Sequence, residues 1–280
     1  MNGSTRNGQG PLAYFDYAIH YGGSFTGTVM LASELQRLTD VTVIDVYGTC
    51  EKYHADLKKH DLPARVLFDE WAGQTTIGGS SPVARLAPLT AAVPHVLTTA
   101  SRLRQVLSEV RPRAIWVDSE KALFTLWLAA PQDLAIAVYV RIESTGIQRG
   151  CELAWRRADA AMGVSTTCLT HLRAGGYAHD NLHVVYDGLD AGAVVAGGAR
   201  EPTGPLPGEA DSLKMVLPAT LEERKGHEYA IRALAEYDAS GGEADLWFCG
   251  DVKPGAAEAY AGRMRALAAA LRVQDHVHFL

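Results

Sequence analysis

Two segments in the second half of the chain carry residue types at a spacing that could do chemistry. Leu221 to Ala235 reads LEERKGHEYAIRALA. Arg224, Lys225 and Gly226 stand just before an amphipathic run, where the free N–H groups and dipole of a helix start favour an anion such as a diphosphate. Val184 to Asp190 reads VVYDGLD, which predicts a buried strand ending in a turn, because Asp187 and Gly188 tolerate a left-handed backbone. The pairing points to a nucleotide-linked donor. A lysine at a helix start is also commonly a solvated charge, and that reading of Lys225 stays open.

Such residues need a scaffold that brings strand ends and helix starts to one edge. Apolar runs of strand length alternate with helical patterns along the chain, the signature of a mostly parallel α/β sheet covered by helices. Strands are expected at Leu12 to Ile19, Val41 to Val46, Ala114 to Val117, Ala135 to Ile142, Leu213 to Leu217, Leu246 to Phe248 and His276 to Leu280, and helices at Val96 to Val110, His227 to Ala239 and Ala256 to Arg272. Thr49 to Pro94 is less regular, broken by Gly73, Gly78, Gly79, Pro82 and Pro88; it reads as mobile loops over an acceptor site or as an irregular connection. The expected organisation is a disordered tail over residues 1–11, a first Rossmann-like domain over 12–190, a Gly/Pro-rich linker over 191–212 and a partial second domain over 213–280.

Composition narrows the class. A chain of 280 residues, 48% hydrophobic, is long enough for two cores. A formal charge of −6 gives no reason to expect nucleic-acid binding. Cys50, Cys151, Cys168 and Cys249 form no CxxC pair and read as buried reduced thiols, with a zinc site not expected. The start MNGSTRNGQGP lacks the apolar stretch of a signal peptide, and Pro131, Gln132 and Asp133 interrupt the most apolar run, so no membrane span is expected. These features suit a cytoplasmic α/β enzyme.

Five segments, in order, resemble the retaining glycosyltransferases of the GT-B fold, in particular the group called family 4 or group 1. YGGSFTGTVMLASELQRLTDVTVIDVY (Tyr21 to Tyr47) resembles that family's glycine-containing loop, first helix and second strand; RPRAIWVDS (Arg111 to Ser119) its buried strand running into the cleft. ADAAMGVSTTCLTHLRAGGYAHDNLHVVYDGLD (Ala158 to Asp190) is similar to the stretch that closes the first domain, and LWFCGDV (Leu246 to Val252) and DHVHFL (Asp275 to Leu280) to strands of the nucleotide domain. The resemblance implies two Rossmann-like domains, the second represented by its first three strands only. The family's pair of glutamates separated by seven residues would fall beyond Leu280.

The implied activity is transfer of a sugar from a nucleotide-diphosphate sugar, UDP- or GDP-linked, to a hydroxyl acceptor that is a glycan, lipid-linked or a small molecule, with retention of configuration and without a metal or other cofactor. Lys225 and Arg224 would stabilise the departing diphosphate. Gly22, Gly23, Thr220, Gly226, Gly250 and Asp251 would line the donor site, and His20 and Glu143 the acceptor side. Gly22 and Gly23 also suit an ordinary strand-to-helix turn, with Ser24 a favoured helix N-cap. The chain departs from the family pattern where an arginine often precedes the lysine loop, since it reads Pro218, Ala219, Thr220, and where Val252 replaces a glycine. Arg141 or Glu143 stands where the family often has a histidine, and Glu143 could instead pair with Arg141 or Arg149. Asp187 replaces the usual asparagine, a change expected to matter little because both cap the same turn. Two rival readings are a non-catalytic binding or partner module of the same descent, and a sugar-nucleotide epimerase, which would need a histidine and carboxylate constellation.

Overall fold

In a computed structural model the described residues are 10–19, 21–69, 82–141, 147, 150–177, 179–198, 207–208, 211–250 and 256–280. The chain divides into two compact units, Met1–Ala196 and Gly197–Leu280. No described helix is long and apolar enough to cross a membrane.

The first unit runs β1 (Leu12–Asp16), α1 (Gly23–Gln36), β2 (Val41–Asp45), α2 (Glu51–Lys59), β3 (Ala64–Val66), α3 (Pro82–Val110), β4 (Ala114–Val117), α4 (Glu120–Ala129), β5 (Ala135–Val140), α5 (Glu152–Arg157), β6 (Ala160–Gly163), α6 (Thr166–Ala174) and β7 (Leu182–Val184). α7 (Ala191–Gly198) follows, so the first part of the expected linker is helical. The seven strands are parallel in the order β3-β2-β1-β4-β5-β6-β7. The chain winds outward one way from β1 and the other way from β4, which makes the β1/β4 boundary the topological switch point, where open α/β sheets take their ligands. β1 is buried on both faces: Ala13 and Phe15 join a core beneath α3 and α4, while Tyr14 joins Val29 and Ala32 of α1 in the other. Near-continuous apolar strands are what a sheet covered on both sides requires.

The irregular stretch between Thr49 and Pro94 is more ordered than its glycines and prolines suggest. It holds α2, β3 and the start of α3, with residues 70–81 outside the described set. Tyr53 and Leu57, one helical turn apart, bury α2. Pro82 is the first residue of α3, where its missing N–H is no loss, and the 29-residue helix continues through Pro88 and Pro94. β3 is three residues long, too short to show a period.

A second correction concerns Val184 to Asp190. The strand there is not buried: β7 is the last strand of the sheet and Val184 is 40% exposed. Neither Asp187 nor Gly188 has a positive φ. The Asp187 side chain is used instead for contacts with Arg141 and Tyr139.

The second unit consists of β8 (Leu213–Leu217), α8 (His227–Ala239), β9 (Ala244–Phe248), α9 (Ala256–Ala270) and β10 (Val277–Phe279), its strands parallel in the order β10-β9-β8. β9 is buried throughout. Ile231 and Leu234 of α8 and Tyr260 and Met264 of α9 complete its core. Among the described residues β8 has a neighbour on one edge only, and its Leu213 and Val216 are exposed.

Candidate functional site

At the switch point of the first unit, β1 ends in Asp16 and β4 is followed directly by Asp118; their side chains are 6% and 7% exposed. Asp16 accepts from the Tyr14 hydroxyl at 2.8 Å and from Ser119 at 3.4 Å, and Asp118 accepts from Thr28 of α1 at 3.4 Å. Burial raises the Asp118 carboxyl well above the usual aspartate range, and the neighbouring Asp16 charge and hydrogen bond raise it further against the pull of Tyr14 and Arg141. Asp16 is raised as well, burial outweighing its hydrogen bonds to Asp118, the Tyr17 N–H and Tyr14. Two close carboxyls in a dry site oppose each other's ionisation, so the pair is biased toward sharing a proton, with Asp118 the more strongly raised of the two. A third acid, Asp45 at the end of β2, is 1% exposed and stays tied down by the N–H groups of Ala18 and Tyr47 and by His54 Nε2 at 2.8 Å.

The loop from β1 to α1 opens beside this pair. Gly22 caps α1 with no side-chain hydrogen bond, its φ of −162° is extended backbone, and a Cβ at Gly22 or Gly23 would meet nothing within 4 Å. Neither glycine is demanded by local packing. Ser24 is not the N-cap it was expected to be: Gly22 holds that position and Ser24 lies two residues further on, within the first turn of α1.

Arg141 follows β5, and its guanidinium is 6% exposed. Nη1 donates to the Ser24 carbonyl at 2.7 Å and lies 3.1 Å from Asp187 Oδ1; Nη2 donates to Thr28 Oγ1 at 2.8 Å; Nε stands 4.0 Å from Asp118 Oδ2. Its face covers Tyr139, whose hydroxyl also donates to Asp187 at 3.0 Å. The substitution of aspartate for asparagine at 187 therefore carries a charge that an asparagine could not supply. His20, Glu143, Arg149 and Asp251 lie outside the described residues.

In the second unit Thr220, Arg224, Lys225, Gly226 and Gly250 gather at the carboxyl ends of β8 and β9. A short 3-10 turn, Glu223–Lys225, leads into Gly226, whose left-handed φ of 76° opens α8; this is a conformation glycine adopts without strain. Arg224 pairs with Glu222 at 2.9 Å, and Thr220 donates to the same carboxylate at 3.3 Å. Lys225 is exposed and makes no ion pair among the described residues. A Cβ on Gly250 would overlap the Ala219 carbonyl, so the loops after β8 and β9 touch through backbone alone. Behind them His227, fully buried, packs edge-on against Phe248 and Tyr260 with centroid separations of 4.9 and 5.8 Å.

The sequence reading missed Asp16, Asp118 and the anchoring role of Arg141. A signal was present. LAYFD and AIWVD each end an apolar strand in an acid, at the strand end where a parallel sheet exposes its ligand crevice.

No protein-family model matches the chain, and no curated protein matches its sequence. Solved structures do. HepE of Anabaena in complex with UDP-glucose is similar at a TM-score of 0.67 and 16% identity, over 96% of this chain and 68% of that one. A glycosyltransferase from Rickettsia africae gives 0.65 and 14%, over 98% and 68%. Sucrose-phosphate synthase from Thermosynechococcus elongatus gives 0.65 and 13%, over 97% and 70%. At these identities the likeness is one of fold: the chain has the α/β architecture of the GT-B type.

Proposed function

We propose that the chain is a retaining glycosyltransferase similar to family 4, which moves a sugar from a nucleotide-diphosphate donor to a hydroxyl acceptor. In this reading the bond from the anomeric carbon to the diphosphate oxygen breaks. A bond to the acceptor oxygen forms on the same face of the sugar, and nucleoside diphosphate and a proton are released. Lys225 lies beside the departing diphosphate, where fixed positive charge stabilises developing negative charge without reorganising. Thr220, Gly226 and Gly250 bring backbone N–H groups to the donor, and Gly22 and Gly23 give the first-turn amides of α1 an open approach. Arg224 has a lesser role, because Glu222 already neutralises it. Lysine and helix amides carry the charge that a metal would otherwise carry.

The observation that carries the reading is the turn Glu223–Lys225, which presents an exposed lysine, without an ion pair among the described residues, at the glycine-opened start of α8. The likeness to structures solved with UDP-glucose and to other glycosyltransferases agrees with it. Isothermal titration with UDP, GDP and their glucose and mannose conjugates, run beside Lys225→Ala, tests it. Binding that the variant loses supports the reading and identifies the base. Binding that the variant keeps removes Lys225 from the site, and no binding by the folded chain defeats the donor reading and favours a partner module.

A further inference from the structure

The contacts of Arg141 point to a task that no single neighbour explains. Its guanidinium holds the Ser24 carbonyl in the first turn of α1, the Thr28 hydroxyl one turn later and the Asp187 carboxylate after β7, and its Nε faces Asp118 beyond β4. One side chain therefore ties the end of β5 to three other segments. A lysine could not do so, because its point charge cannot reach two acceptors in a fixed planar fork.

α1 makes room for this group. Gly27 lies in the middle of α1, where glycine is the least favoured residue after proline. A Cβ there would come 2.6 Å from Arg141 Nη1 and 3.0 Å from Asp187 Oδ1. The unfavourable residue sits where the guanidinium passes the helix. The N-cap Gly22 offers no side-chain hydrogen bond to the start of α1, and the Arg141 guanidinium reaches that first turn from another element through the Ser24 carbonyl.

We infer that Arg141 is a positioning residue: by holding Ser24 and Thr28 through the gap left by Gly27, it fixes the first turn of α1 and so aims the Gly22–Gly23 amides at the donor. The inference rests on the donor reading above. Arg141 itself touches no substrate in it. Asp187 keeps the guanidinium in place, which explains an aspartate at that position.

The test uses four variants: Arg141→Lys, Arg141→Ala, Gly27→Ala and the Gly27→Ala/Arg141→Ala double. Gly27→Ala retains every charge and a better helix former, so it displaces the guanidinium without deleting it. Each is titrated with UDP, GDP, UDP-glucose and GDP-mannose, and amide exchange is followed across residues 22–28. Gly27→Ala and Arg141→Ala should each weaken donor binding about tenfold, as small misplacements of a positioned group do. Arg141→Lys should fall between them and wild type, and the double variant should be no worse than Arg141→Ala, because both remove the same contact. Exchange should quicken in the first turn of α1 and stay unchanged in β4 and β5.

Faster exchange with unaltered affinity would make Arg141 a structural tie only and overturn the inference while leaving the donor reading intact. Additive losses in the double variant would overturn it too, since Gly27 would then act by another route. A wild-type chain that binds none of the four probes defeats the donor reading first, and the aiming role falls with it.

Discussion

Asp118→Asn should flatten the pH dependence of the first unit's stability. Burial and the Asp16 charge raise the Asp118 carboxyl well above its ordinary range, so between the ordinary and the raised value the folded chain keeps a proton that the unfolded chain has lost. A group whose folded pKa is raised contributes stability that is full below the ordinary aspartate range and is lost as pH rises through the raised value. One such proton costs at most about 1.4 kcal/mol for each pH unit in that window, hence about 3 kcal/mol over two units. For a domain of this size that corresponds to roughly 2–4 °C in Tm per kcal/mol.

The carboxamide introduced by Asp118→Asn donates a hydrogen bond to Asp16 as the protonated acid does, and cannot ionise. Arg141 loses little, since its close ion pair is with Asp187 at 3.1 Å and not with Asp118 at 4.0 Å. Urea melts from pH 5 to pH 8, followed by tryptophan fluorescence, report on the first unit, which carries Trp71, Trp116, Trp127 and Trp155. Wild type should lose stability as pH rises and the variant should lose less, the gap widening by up to about 1.4 kcal/mol per unit. Parallel slopes in the two proteins would refute the shared proton. A wild-type curve that rises with pH would show that Asp118 ionises in the fold.

Three further outcomes follow from buried groups. Tyr53→Phe should be neutral or stabilising by up to ~1 kcal/mol, because its hydroxyl is buried without a hydrogen-bond partner among the described residues; a clear loss in thermal melts would mean the hydroxyl is satisfied after all. Gly250→Ala should cost the second unit about 1–3 kcal/mol, as overpacking against backbone does, and abolish donor binding in calorimetry; an unchanged melt would show that the Ala219 loop can yield. Asp245→Ala should cost about 3–5 kcal/mol, since Asp245 is fully buried and bonded to Ser212, His278 at 2.9 Å and Lys214 at 3.6 Å. A loss below ~1 kcal/mol in denaturant melts would mean that the cluster is not paired in solution.

Part of the fold could be read from local periodicity. The bounds of α8 and β8 and the span of β4 coincide with those expected, because each is an uninterrupted periodic or apolar run between clear breakers. The fold class followed from the alternation of such runs and from five short resemblances in order. α2, β3 and the early part of α3 were not legible: α2 has two buried residues, β3 has three residues in all, and prolines inside α3 mimic a break.

Candidate site residues divided the same way. The lysine loop and the glycines of the second unit are contiguous in sequence, and their chemistry is a property of a turn, so Arg224, Lys225 and Gly226 could be singled out by inspection. Asp16, Thr28, Asp118, Arg141 and Asp187 lie on five separate segments, and only the winding of strands β1, β4, β5 and β7 into one sheet edge brings them together. The sequence by itself determined the longer, uninterrupted strands and helices and where a phosphate-binding turn could form, since those depend on neighbours within a few residues. Which carboxyl is pushed furthest from its ordinary range, which glycine makes room for a guanidinium and which aspartate carries a needed charge were decided by the tertiary structure, because burial and pairing between distant residues set those energies.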